Sequence, residues 1–227
     1  MTSFFFFHKA WLGPILAMAI LTPFTPFLDL TMTNFFYLPT HGFPSNAFYD
    51  FLYNYGVIPA QLLFCLSTII LFLGCFFKKW KKWHAPALTL VLSLLIGGGL
   101  IIHVILKDHW GRPRPKQTIE FEGTQPFRPY YYPNFFHQPE PSKSFPCGHC
   151  TMGFYFFTLA LAAKKLNFRK TFWTALILSL VLGIGLSIAR IAQGGHFFSD
   201  TLISALIMWL AACTCTYWLL PHPREIS

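Results

Sequence analysis

Apolar residues run along this chain in long, nearly unbroken stretches instead of alternating with polar ones. A helix that crosses a bilayer needs roughly 20 mostly apolar residues. Six stretches approach that length: 10–28, 55–77, 85–106, 149–163, 171–190 and 200–220. The first carries Pro14, Pro23 and Pro26, so its far end is expected to kink or unwind. The fourth is short, and the aromatic run from Gly153 to Phe157 adds hydrophobicity without adding length. The pattern predicts an all-α polytopic membrane protein, a bundle of six transmembrane helices forming one domain over 1–227. Gly97, Gly98 and Gly99 in the third stretch, with Gly183 and Gly185 in the fifth, are placed to let helices approach closely.

The charges between these stretches sort by sign. Lys78, Lys79, Lys81 and Lys82 follow the second stretch, Lys164, Lys165, Arg169 and Lys170 follow the fourth, and Lys9 and Arg224 lie toward the ends. Positive residues in short loops mark the cytoplasmic side. These loops and both termini are therefore expected inside, and 29–54, 107–148 and 191–199 outside. Every acidic residue but Glu225 falls on that outer side: Asp29, Asp50, Asp108, Glu120, Glu122, Glu140 and Asp200. Only 11% of the chain is charged and 54% is hydrophobic, against about 25% charged in a soluble domain. That leaves no room for a separate soluble domain. The net charge of +9 is spread over several loops and not gathered in one patch, which argues against nucleic acid as a partner. Four phenylalanines precede the first basic residue, Lys9. A cleaved signal peptide has the opposite order, so the first helix is expected to be retained.

Seven basic residues stand on the outer side against this bias: Lys107, Arg112, Arg114, Lys116, Arg128, Lys143 and Arg190. Four of them crowd between Lys107 and Lys116, where the third stretch ends, and Arg190 ends the fifth. Positive charge in that setting asks for an anionic partner, and a phosphate fits it; the alternative is snorkelling toward lipid headgroups. His149 opens the fourth stretch, and His196 precedes the sixth with Asp200 four residues on. If 196–200 is helical, the Asp200 carboxylate lies one turn from the His196 ring and holds one nitrogen. The other nitrogen is then an oriented nucleophile or base. A lone histidine near a helix end is usually structural, whereas two of them beside five basic residues form an active-site pattern. A helix starting just after Pro146 would aim the N–H of Gly148 at an anion, and Gly194 and Gly195 would let the chain approach a ligand. The loop 116–145, rich in Pro, Phe and Tyr, reads equally as a lid or as a packed connector. The aromatic loop 29–54 is expected along the membrane interface.

These residues carry a resemblance. The chain is similar to the PAP2 superfamily, the type-2 phosphatidic acid phosphatases and vanadium haloperoxidases, whose pattern is K-x6-R-P, then P-S-G-H, then S-R-x5-H-x3-D. Here the first motif reads KDHWGRPRP with Lys107, Arg114 and Pro115 in register, and the second reads PCGH from Pro146 to His149. The third reads ARIAQGGHFFSD with Arg190, His196 and Asp200 in register. The resemblance implies that His196 attacks phosphorus, that Asp200 orients it and that His149 protonates the leaving alkoxide. Lys107, Arg114 and Arg190, with Cys147 and Gly148, would hold the phosphate oxygens. It implies no metal and no cofactor, since fixed cations take the role of Mg²⁺. Ala189 and Cys147 depart from the family's two serines. A thiol is the weaker donor, so Cys147→Ser is expected to preserve or raise turnover.

Cys147 and Cys150 also form a C-x-x-C. A thiol oxidoreductase would need a strand–helix context that the pattern lacks, and a C-x5-R phosphatase loop would need arginine at Gly153. A redox switch stays open, because an oxidising outer compartment permits a Cys147–Cys150 bond, which is expected to distort the phosphate loop. Cys65, Cys75, Cys213 and Cys215 read as packing residues within the stretches.

The resemblance implies a lipid phosphatase in a bacterial inner membrane, its termini cytoplasmic and its site periplasmic. The WGRPRP form and the long aromatic loop look most like enzymes acting on lipid A phosphates. Undecaprenyl pyrophosphate and phosphatidylglycerophosphate phosphatases share the core motifs, and a phosphotransferase would use the same residues. A haloperoxidase fits poorly with six spans, and a silent lipid binder would not need the His196–Asp200 spacing. Oligomeric state is not legible here.

Overall fold

The computed structural model describes residues 2–136 and 142–221, with side chains from Lys9 onward. Glu140, Arg224 and Glu225 lie outside the described residues. The elements in chain order are α1 (Thr2–Leu21), α2 (Thr25–Asn34), α3 (Ala47–Tyr55), α4 (Ile58–Phe76), α5 (His84–Ser93), α6 (Gly148–Phe154), α7 (Phe156–Lys165), α8 (Arg169–Ala192) and α9 (Phe198–Leu219). From Leu94 to Lys107 α5 continues in a wider, π-helical winding. Among the described residues only isolated bridges stand in place of a sheet, so the all-α expectation holds.

Five segments are long and apolar enough to cross a membrane: Lys9–Asn34, Ala47–Phe76, Lys81–Lys107, Arg169–Ala192 and Phe198–Leu219. α8, at 24 residues, is about 36 Å long, more than the ~30 Å hydrocarbon core. The fourth predicted stretch is the exception. It breaks at Tyr155 into α6 and α7, neither long enough to count. Its Cys150, Phe154, Tyr155, Phe156 and Phe157 are buried in the centre of the bundle, where length is set by protein neighbours and not by bilayer thickness.

The first segment runs further than predicted. Its helix tightens at Thr22–Phe24, as the prolines required, but then restarts as α2. Pro23 and Pro26 each sit in the opening positions of a new helical segment, where a missing N–H costs nothing. Asp29, expected in an outer loop, is therefore inside a helix and fully buried. The loop 29–54 likewise shrinks to 35–46, because α3 folds from its second half. Asn46 caps α3 by accepting a hydrogen bond from the N–H of Phe48 at 2.9 Å.

α6 and α8 touch backbone to backbone. A Cβ on Gly153 would lie 2.5 Å from the Gly183 nitrogen, and one on Gly183 would lie 2.3 Å from the Phe154 ring. Gly97 and Gly98 press similarly on Met208, Ala211 and Thr151, whereas Gly99 and Gly185 meet no close neighbour. The two basic loops meet at one end of the bundle, where Trp83 and Phe168 stack at 6.0 Å. Lys107, Gly148, Arg190 and Asp200 lie at the helix ends opposite.

Candidate active site

At that opposite end, α5 finishes at Lys107, α6 begins at Gly148, α8 finishes beyond Arg190 and α9 begins two residues after His196. The fold thus gathers residues that are up to 93 positions apart in sequence. Lys107 Nζ lies 3.5 Å from the carbonyl oxygen of Pro146, one turn from His149. The charges of Arg114, Arg190 and Asp200 all act on Lys107, and those of Lys107, Arg114 and Arg190 act on His149. These are the side chains that the three motifs predicted, and they lie within electrostatic reach of one another.

Two glycines make that convergence possible. A Cβ on Gly195 would fall 2.3 Å from the Arg190 guanidinium, and one on Gly148 would fall 2.9 Å from the His103 ring. Gly194 has φ +60° and backs onto the Phe43 ring. The glycine pair serves packing against Arg190 and Phe43.

His196 is 1% exposed. Its Nδ1 lies 3.7 Å from Asp200 Oδ2, longer than a hydrogen bond, and among the described residues it has no hydrogen-bond partner. Helical geometry over 196–200 does not hold, since α9 starts at Phe198 and Phe197 is extended. The reason is that Asp200 caps the new helix, accepting from the Phe197 N–H at 2.9 Å. The predicted approach of ring and carboxylate survives through a different backbone. Burial pushes the His196 imidazole down to about 3; Asp200 opposes the shift, and Lys107 and Arg190 add to it. The ring is therefore neutral, as a nucleophile must be.

Asp200 is held on both oxygens. Oδ1 accepts from Arg112 at 2.5 Å and Oδ2 accepts from Ser144 Oγ at 2.6 Å. Arg112 is 1% exposed and also donates to Asp29 Oδ2 at 2.7 Å. The two carboxylates raise its pKa against the effect of burial. Two of the seven outer cations are thus answered internally. Arg112 pairs with Asp29 and Asp200, and Lys143 pairs with Asp108 at 2.6 Å on the surface. Both are paired with carboxylates, so not all of the seven outer cations await an anionic ligand.

Cys147 is also corrected. Its sulfur is bonded to Cys150, and its N–H donates to the Asp200 carbonyl at 3.4 Å. No S–H remains to meet a phosphate, so the expected donor role at Cys147 has no atom to perform it. With the bond in place, the six charged and imidazole side chains still lie together at this end of the bundle.

The family assignment follows from this arrangement and from comparison. A model of the PAP2 superfamily matches residues 86–224. The chain belongs to the PAP2 superfamily. A protein of Francisella tularensis subsp. novicida named "Lipid A 4'-phosphatase" is 33% identical over 209 residues, covering 88% of this chain and 89% of that relative. Two further proteins of that name, from Rhizobium leguminosarum and Rhizobium etli, are 32% and 33% identical over 128 residues. These cover 55% of this chain and 52% and 47% of the relatives. No solved structure matches.

Several site residues of this PAP2 chain escaped the sequence reading, and some come from outside the matched region. Tyr53 of α3 stacks on the His149 ring at 4.4 Å, and the Arg190 guanidinium lies 4.6 Å from the same phenol ring. Gln193 accepts from Arg190 at 2.7 Å and donates to Asp50 at 2.9 Å. The Nε of Arg190, an arginine only 8% exposed, has no partner among the described residues. The aromatic loop divides between both earlier readings: Phe127 and Phe145 pack inward against Phe197 and Trp110, whereas Tyr132 and Phe136 are 63% and 88% exposed.

Proposed function

We propose that this PAP2 protein is a membrane lipid phosphatase that removes a phosphate from lipid A through a phosphohistidine on His196. The observation that carries the chemistry is the convergence of His149, His196, Lys107, Arg114 and Arg190 beside the buried Asp200. The similarity to lipid A 4'-phosphatases over most of the chain supports the choice of lipid.

Lys107, Arg114 and Arg190 hold the non-bridging oxygens and offset the charge that grows in the transition state. Nδ1 of His196, the nitrogen nearer Asp200, keeps its proton, so Nε2 attacks phosphorus. The bond from phosphorus to the sugar oxygen breaks as His149 delivers a proton to that oxygen. Water, deprotonated by the same His149, then cleaves the phosphohistidine and releases inorganic phosphate. Gly148, at the first position of α6, brings its backbone close to the phosphate; Cys147 shapes that turn through its bond to Cys150.

α6 and α7 together form a sixth crossing, shortened because it is shielded by its neighbours. The basic loops 78–84 and 164–170 face the cytoplasm with both termini, and the site opens to the periplasm of a bacterial inner membrane.

The test is phosphate release from lipid A, undecaprenyl pyrophosphate and phosphatidylglycerophosphate by detergent-purified protein with EDTA present. Release from lipid A that is lost in His196→Ala is expected. Release from one of the other lipids alone overturns the substrate assignment. Consumption of the lipid phosphate with no free phosphate makes the enzyme a phosphotransferase.

A further inference from the structure

We propose that Asp29 and Arg112 are positioning residues for the His196–Asp200 pair, tying the first membrane segment into the chemistry; this rests on the phosphatase reading above. Arg112 falls at an unspecified position inside the first motif, and Asp29 lies outside the matched family region. Their contacts are complete. Arg112 donates from one terminal nitrogen to Asp200 Oδ1 at 2.5 Å and Ser199 Oγ at 2.8 Å. It donates from the other to Asp29 Oδ2 at 2.7 Å, and from Nε to the Arg128 carbonyl at 2.8 Å. Its guanidinium lies 4.4 Å from the Phe197 ring centroid. Asp29 in turn accepts from the Ser199 N–H and Ser199 Oγ, both at 2.7 Å. All three charged side chains are fully or nearly fully buried.

Position is one consequence. With Arg112 on Oδ1 and Ser144 and Phe197 on Oδ2, the Asp200 carboxylate has one orientation, and it sets the edge that His196 meets.

Charge is the other. Phosphorylation of a neutral imidazole leaves the ring cationic until the phosphate departs, so His196 needs a negative neighbour. Asp200 paired only with Arg112 would be a neutral couple with little field at His196. Asp29 adds the second carboxylate, giving the triad a formal net charge of −1 among buried side chains, where such charge acts strongly. The alternative is that the triad merely fastens α2 to the bundle.

The test separates these by reading kcat and KM per folded molecule for Asp29→Asn, with thermal stability alongside. An orienting role predicts that kcat for lipid A phosphate falls roughly 10- to 100-fold, the range known for groups that hold a ligating imidazole in place, with KM little changed. Full kcat in folded Asp29→Asn, whatever its stability, overturns the inference. If Asp29→Asn does not fold, Ser199→Ala decides, since it leaves every charge in place. Loss of kcat of roughly threefold or more supports positioning, and an unchanged kcat overturns it. Folded wild-type protein that releases no phosphate from any lipid overturns the phosphatase reading as well as this inference, whereas an active wild type with fully active variants overturns only the inference.

Discussion

Gly195→Ala offers a sharp test of what Arg190 does. The added methyl would lie 2.3 Å from a terminal nitrogen of Arg190 and 2.7 Å from its Cζ, where ordinary contacts begin at 3.4 Å. The backbone at Gly195 lies outside the left-handed region, unlike that at Gly194, so alanine is conformationally acceptable there. The guanidinium is the end of a flexible side chain and yields, at small cost in stability. Yielding moves it by about 1 Å, and misplacing a positioning group by that distance can cost about 100-fold in rate, or roughly 2.7 kcal/mol of transition-state stabilisation. The assay is phosphate release from lipid A in detergent, with kcat/KM measured beside the melting temperature. Gly13→Ala, whose Cβ meets nothing within 4 Å, serves as the control. A wild-type rate in folded Gly195→Ala would refute the claim that Arg190 grips the reacting phosphoryl group from its present position.

Other expectations follow from single contacts. Tyr53→Phe keeps the ring that stacks on His149 and Arg190 and should stay within about threefold of wild type, whereas Tyr53→Leu should lose about 10-fold or more in kcat; equal rates would dismiss the stacking. For His196 the folded-state value of about 3 lies below the unfolded ~6.5, so between those limits the unfolded chain binds a proton that the folded chain does not. Stability should therefore fall as pH drops below about 6, by up to about 1.4 kcal/mol per pH unit. Melting in detergent from neutral pH downward should show a flatter slope for His196→Gln, and parallel slopes would contradict it. Reducing the Cys147–Cys150 bond should remove about 2 kcal/mol of stability for so short a loop, with kcat little altered because the proposed chemistry assigns neither sulfur a role. A large change in kcat with reductant would instead reveal a switch.

Motif spacing made the candidate site legible before the fold was known. Lys107, Arg114, His149, Arg190, His196 and Asp200 were each named from sequence, and the fold brings them to one end of the bundle. Charge sign also separated that end from the basic loops. What stayed hidden was carried by tertiary contact. Asp29 was read as a loop residue because the apolar run seemed to stop at Leu28, yet two prolines restarted the helix and enclosed it. An ionisable residue on the margin of a span is itself a signal in the sequence. Arg112 looked like its neighbour Arg114, and nothing local distinguishes a guanidinium facing substrate from one facing two carboxylates. Tyr53 and Gln193 had no signal, since stacking and bridging depend on where α3 packs over α8. The fourth stretch is short for a physical reason: a helix buried in protein need not match the bilayer.

The central claim is that His196 carries the phosphoryl group. Rapid quenching of the enzyme with lipid A labelled at its phosphate should trap a protein-bound label that is stable to base and lost in acid. The label and turnover should both vanish in His196→Ala. Turnover at the wild-type rate in His196→Ala, or a label that persists on another residue, would contradict the account.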